Sequence, residues 1–134
     1  MEKTYHGSCH CGAVKYSASL DLAKGTGKCN CTYCMKIRNW SAQASGLELL
    51  QGEDVLGDYS KEWPGGNLHH RFCSKCGVTL YANGHIPEAG GDFLSVQVNT
   101  LDDASIDDLL SGPMRHADGR NDNWMNPPAE TRHL

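Results

Sequence analysis

Short runs of alternating apolar and polar residues set the pattern of this chain. Val14 and Tyr16 fall on one side of a short strand and Lys15 and Ser17 on the other. Trp40 to Ala44 and Leu47 to Leu50 read as strands parted by a turn at Ser45-Gly46, and Val55 to Ser60 as a further strand. Pro64-Gly65-Gly66-Asn67 is a strong turn signal. His69 to Phe72 and Val78 to Ala82 then read as two strands, and Phe93 to Val98 is the clearest alternation in the chain. One helix start stands out: Ser105-Ile106-Asp107-Asp108 resembles a capping box with Asp in place of Glu. Leu109 and Leu110 follow it, and Gly112-Pro113 ends it. The pattern predicts a mainly β domain of short strands with little helix.

Cysteine changes that picture most. All seven cysteines fall in three tight clusters: Cys9-His10-Cys11, Cys29-Asn30-Cys31-Thr32-Tyr33-Cys34, and Cys73-Ser74-Lys75-Cys76. Thiolates one or two residues apart can point at one centre, and the usual centre is tetrahedral Zn²⁺. Seven is one short of two closed four-thiolate sites, so the simplest division is four plus three. Cys9, Cys11, Cys73 and Cys76 would close a structural site that staples distant parts of the chain. Cys29, Cys31 and Cys34 would hold a second metal with an open position, the usual mark of chemistry in zinc proteins. Gly77, after Cys76, suits a tight turn that needs positive φ. Three alternatives stand beside this division. A histidine such as His10 or His6 could fill an eighth ligand place and leave two inert sites. An iron–sulfur centre is a second alternative, although no spacing here matches ferredoxin patterns. Redox thiols without metal are a third.

Composition then narrows the class. At 134 residues and 14.6 kDa the chain is expected to form one domain, residues 1–134, with a core over about 6–124 and a loose polar tail over about 125–134. A net charge of −4 argues against a general nucleic-acid binder. The N-terminus has no apolar run like a signal peptide, and no stretch reaches a membrane span. A soluble, cytoplasmic protein is the expectation, and in such a reducing compartment clustered cysteines read as metal ligands or reactive thiols rather than disulfides.

The order C-x-C, C-x-C-x-x-C, C-x-x-C-G resembles the glutathione-dependent formaldehyde-activating enzyme family, whose domain is also found in centromere protein V. The segments that carry the resemblance are Gly7-Ser8-Cys9-His10-Cys11-Gly12-Ala13-Val14, Cys29 to Cys34, and Arg71-Phe72-Cys73-Ser74-Lys75-Cys76-Gly77. The resemblance runs from about His6 to Trp124. It implies a fold similar to the Mss4-like β-tent, with Cys9, Cys11, Cys73 and Cys76 as structural zinc ligands. Cys29, Cys31 and Cys34 match the ligands of a catalytic zinc. The implied reaction is addition of glutathione to formaldehyde, a carbon–sulfur lyase reaction in reverse. The segment Cys34-Met35-Lys36-Ile37-Arg38-Asn39-Trp40 looks closer to the centromere protein V branch, which leaves the thiol and the carbonyl partner open. The rival readings are a zinc-stabilised binding module and a small-thiol carrier without turnover.

A glutathione-like substrate has two carboxylates, and Lys36 and Arg38 lie just past the second cluster. Tyr33 and Trp40 could wall a pocket, with core packing the plainer role for Trp40. His69, His70 and His116 are candidate proton shuttles, since histidine titrates near neutrality. Trp124 is expected to pack the C-terminal segment onto the domain.

Overall fold

The computed structural model describes residues 1–134. Ten strands form two sheets: β1 (Lys3–Ser8), β2 (Lys15–Leu20), β3 (Thr26–Cys29), β4 (Ser41–Gln43), β5 (Gly46–Gln51), β6 (Leu56–Trp63), β7 (Gly66–Cys73), β8 (Thr79–Ile86), β9 (Gly91–Gln97) and β10 (Met114–Ala117). The smaller sheet has the order β1-β2-β5 and the larger β10-β3-β4-β9-β8-β7-β6. Two short α-helices, α1 (Thr32–Ile37) and α2 (Ile106–Leu109), and five single-turn 3-10 helices complete the regular structure. The protein is therefore mainly β, as the alternation predicts.

The core lies between the sheets. Tyr16, Leu20, Leu80, Val14, Val96 and Val98 are completely enclosed there. Strand β2 shows why: Tyr16, Ala18 and Leu20 all face inward at the two-residue period of a strand. Burying one large apolar side chain of this kind contributes about 1.5–3 kcal/mol. The Tyr16 hydroxyl is not stranded, because it bonds Thr100 Oγ1 at 2.7 Å. Its ring lies flat against Gly7 on β1, where any Cβ would come within 2.4 Å of a ring carbon. Only glycine allows that approach.

The hairpins follow their turn residues. Strands β6 and β7 pair from Leu56 opposite Cys73 to Trp63 opposite Gly66, which leaves Pro64-Gly65 as the two-residue turn. Ser105 caps α2 as expected, accepting the Asp108 N–H at 3.0 Å. Four elements lie outside the sequence reading: β1, β3, β10 and α1. Of these, α1 and the parallel pair β3–β10 position the second cysteine cluster. No helix is long and apolar enough to cross a membrane.

Candidate metal centres

The first thiol group is built by two turns that face one another across the sheets. Cys9 and Cys11 follow β1, in a turn closed by Cys9 N–H to the Val14 carbonyl (3.1 Å) and Gly12 N–H to the Cys9 carbonyl (3.2 Å). Cys73 and Cys76 sit in the β7–β8 turn, closed by Cys73 N–H to the Val78 carbonyl (3.0 Å) and Gly77 N–H to the Cys73 carbonyl (2.7 Å). Gly77 has φ of 81°, the positive value that the Cys-x-x-Cys-Gly spacing predicts. The four sulfurs lie within 4.8 Å of one another. The Cys9–Cys11 and Cys11–Cys73 sulfur separations are both 3.7 Å. Four sulfurs at about 2.3 Å from a shared tetrahedral zinc stand about 3.8 Å apart, so this donor set fits zinc. A backbone N–H from Cys11, and another from Val78, bring the Cys76 thiol down to about 6.

The second group is local. Cys29 ends β3, Cys31 is the N-cap of α1, and Cys34 lies in its first turn. The Cys31 sulfur does the work usually done by a serine or aspartate oxygen, accepting the Cys34 N–H at 3.4 Å. Cys29 Sγ likewise accepts the Cys31 N–H at 3.3 Å. The helix stops at Arg38, which adopts the left-handed conformation at φ 57°. The three sulfurs again lie within 4.8 Å of one another, and no fourth Cys, His, Asp or Glu joins them.

Three thiols so close cannot all ionise unaided. Hydrogen bonds from Cys29 and then Cys34 stabilise the Cys31 thiolate and take it down to about 2. The same sharing with Cys29 and Cys31 pushes the Cys34 thiol far up, and Cys29 rises by its pairing with Cys31. A dication is the counter-charge that would let all three act as ligands. The soft donor set is consistent with zinc.

The surroundings sort the other candidates. Neither His6 nor His10 joins a thiol group; His6 Nδ1 pairs with Asp103 at 2.9 Å. His69 pairs with Asp58 at 2.9 Å, and His116 lies on β10 opposite Lys28. His70 is the histidine that packs on α1, through Tyr33. Its ring lies 4.0 Å from the Tyr33 ring, and Tyr59 stacks on Tyr33 at 5.7 Å. Burial lowers the His70 pKa, while the Cys31 charge acts in the opposite direction. Trp40 is a packing residue: it lies against the core and its Nε1–H donates to Thr26 Oγ1 at 2.8 Å.

Lys36 and Arg38 face different spaces. Lys36 and Ile37 line an open cavity of about 720 Å³, together with Ser8, His10, Asn99 and Asp102. Arg38 borders a small niche with Cys29 and Cys34, and its Nη1–H donates to the His133 carbonyl at 2.8 Å. Leu134 lines the same niche, so the C-terminal residues reach the second group. The half-exposed Trp124 packs its ring on Gly119, directly beside Cys29. Asn30, Asp118, Gly119 and Arg120, which the pattern of the chain does not mark, form a hydrogen-bonded cluster with Gly119 beside the Cys29 sulfur.

Residues 4–115 match the family described as glutathione-dependent formaldehyde-activating enzyme. The fold is also similar to the crystal structure of a Rhodobacter sphaeroides protein, with a TM-score of 0.65 and 26% identity over 84% of this chain and 99% of that one.

Proposed function

The chain belongs to the glutathione-dependent formaldehyde-activating enzyme family, and on that premise we propose that it is a zinc-dependent carbon–sulfur lyase or thiol-adduct synthase. It would join glutathione, or a similar thiol, to an aldehyde such as formaldehyde, and would run the cleavage in reverse. The observation that carries this reading is the contrast in donor number. One group has four sulfurs and is complete, while Cys29, Cys31 and Cys34 offer three and leave one tetrahedral position for a substrate.

Zinc held by these three sulfurs would supply a cationic seat at which a substrate thiol loses its proton. The remaining work falls to the chain. Cys29, Cys31 and Cys34 surround that seat with negative charge, which keeps an incoming sulfur electron-rich. His70, held neutral by burial and near enough to Cys31 to feel its charge, can take up the thiol proton. The sulfur then adds to the aldehyde carbon, and the carbonyl oxygen ends with the proton. Sulfur–hydrogen and carbon–oxygen π bonds break, while carbon–sulfur and oxygen–hydrogen bonds form. In the reverse direction His70 returns the proton to the departing sulfur. Lys36, two residues past Cys34 on α1, offers a charge partner for a glutathione carboxylate.

The uncatalysed addition reaches equilibrium by itself, so the test is an exchange rate. Magnetisation transfer between glutathione and its formaldehyde adduct should quicken in proportion to added zinc-loaded protein. No acceleration with glutathione, cysteine or other small thiols, against formaldehyde and larger aldehydes, would turn the assignment to a carrier or binding module.

A further inference from the structure

A buried polar cluster behind the second thiol group has no part in the reaction just described. Strands β3 and β10 run parallel, with Ala117 opposite Cys29. Parallel neighbours end at the same edge, so the residues after each strand emerge side by side. Cys29-Asn30-Cys31 leaves β3 there, and Asp118-Gly119-Arg120 leaves β10.

Asn30 stands between two of the three thiols and is only 8% exposed, as is Asp118. Every polar group of Asn30 is engaged by the β10 side. Its backbone N–H donates to the Ala117 carbonyl at 3.2 Å. Its Nδ2 donates to Asp118 Oδ1 at 2.8 Å. Its Oδ1 accepts the Arg120 N–H at 3.0 Å, and its carbonyl oxygen accepts Arg120 Nε–H at 3.1 Å. Asp118 is fixed in turn. Asn121 Nδ2 donates to both its oxygens, at 3.2 and 3.0 Å, and its own N–H reaches the Asn123 and Asn126 carbonyls. The clamp also lies directly against one of the sulfurs, because a Cβ on Gly119 would stand 2.8 Å from Cys29 Sγ.

We propose that Asp118 is a positioning residue for the three-thiol group, acting through Asn30 to hold Cys29 and Cys31 in ligating geometry before a metal arrives. The inference rests on the reading of that group as a metal site. A loop ordered in advance does not lose its freedom again on binding, which raises affinity without any new ligand. Residues that orient ligands in this way commonly change metal affinity by about 10–100-fold when removed.

The test is cadmium uptake by the reduced, metal-free full chain, followed by sulfur-to-metal charge-transfer absorption, with the four-cysteine group as internal control. Wild type should bind two cadmium ions. Asp118→Ala should bind the first normally and the second about 10–100-fold more weakly. Asn30→Ala deletes the same hydrogen bond from the other side and the Arg120 N–H bond with it; it should weaken the second site at least as much as Asp118→Ala and stands in for it should that variant fail to fold. The double variant should lose less than the sum of the two single losses. Asp118→Asn keeps an oxygen for Asn30 Nδ2 and should recover most of the loss. Unchanged second-site affinity in Asp118→Ala overturns the proposal. So does equal weakening of both sites, which marks Asp118 as a residue of the fold alone, and so does additive loss in the double variant. If wild type takes up one cadmium only, the reading of Cys29, Cys31 and Cys34 as metal ligands falls, and this inference falls with it.

Discussion

Cys9, Cys11, Cys73 and Cys76 come from loops on two different sheets, with Cys73 62 positions beyond Cys11. Cys29, Cys31 and Cys34 come from six consecutive residues at the junction of β3 and α1. The donors are alike, but their connection to the chain is not. A metal in the first group would join β1 to the β7–β8 hairpin and so hold one sheet to the other. A metal in the second would cross-link a segment already shaped by a strand end, a helix cap and the Asp118 loop. The comparison teaches that like donors at unlike sequence distance would do different work on binding a metal: donors far apart would staple the fold, and donors close together would leave it standing without the metal.

The sharpest way to break this comparison is Cys73→Ser. Cys73 is completely enclosed and its sulfur is 3.7 Å from that of Cys11. A cross-link that closes a loop of this length contributes about 4 kcal/mol by restricting the unfolded chain. The variant should lose one zinc and most of its cooperative unfolding transition. Retention of two zincs with a wild-type melting temperature would show that this group is no staple.

Cys31→Ser should act in the opposite sense. Its loss spares both sheets, so melting temperature should stay near that of wild type. Zinc content should fall from two to one, and thiol–aldehyde exchange should drop by at least about 100-fold, as when a group that sets charge at a reacting centre is removed. Global unfolding of Cys31→Ser would make the two groups equivalent in kind and the second one structural.

The sequence makes the first group easier to read than the surroundings of the second. Ligand pairs one or two residues apart announce themselves, and so does the Pro64-Gly65 hairpin between two alternating runs. Strand β1 is masked because Gly7, one of its inward positions, carries no side chain and makes room for the Tyr16 ring. Helix α1 is masked because cysteine occupies its N-cap, where Ser, Thr, Asp or Asn is the usual signal. The Asn30–Asp118 bond spans 88 residues and depends on the parallel pairing of β3 with β10. Residues such as Asp118, Arg120 and Asn121 have the composition of a solvated loop, and only the pairing of those two strands brings them onto Asn30 and buries Asp118.

The smallest effect separates the two groups by their response to acid. His70 packs on Tyr33, which lies between Cys31 and Cys34 on α1, and burial lowers its pKa against the opposing charges of Cys31 and Asp58. The folded chain therefore disfavours the imidazolium, and unfolding takes up a proton at any pH between the lowered folded value and the ordinary value of about 6.5. Stability should be full above about 6.5, decline as pH falls toward the folded value, and level off below it. His70→Phe keeps an aromatic ring against Tyr33 and removes the titration, so its urea midpoint should fall less over that window than the midpoint of wild type. Thiol protonation and zinc loss affect both proteins alike, so the difference between the two curves isolates His70. Parallel curves would mean that the imidazole is solvated in the folded chain. That result would also remove the reason for treating it as the neutral proton acceptor beside Cys31, and would leave the second group distinguished by its open position alone.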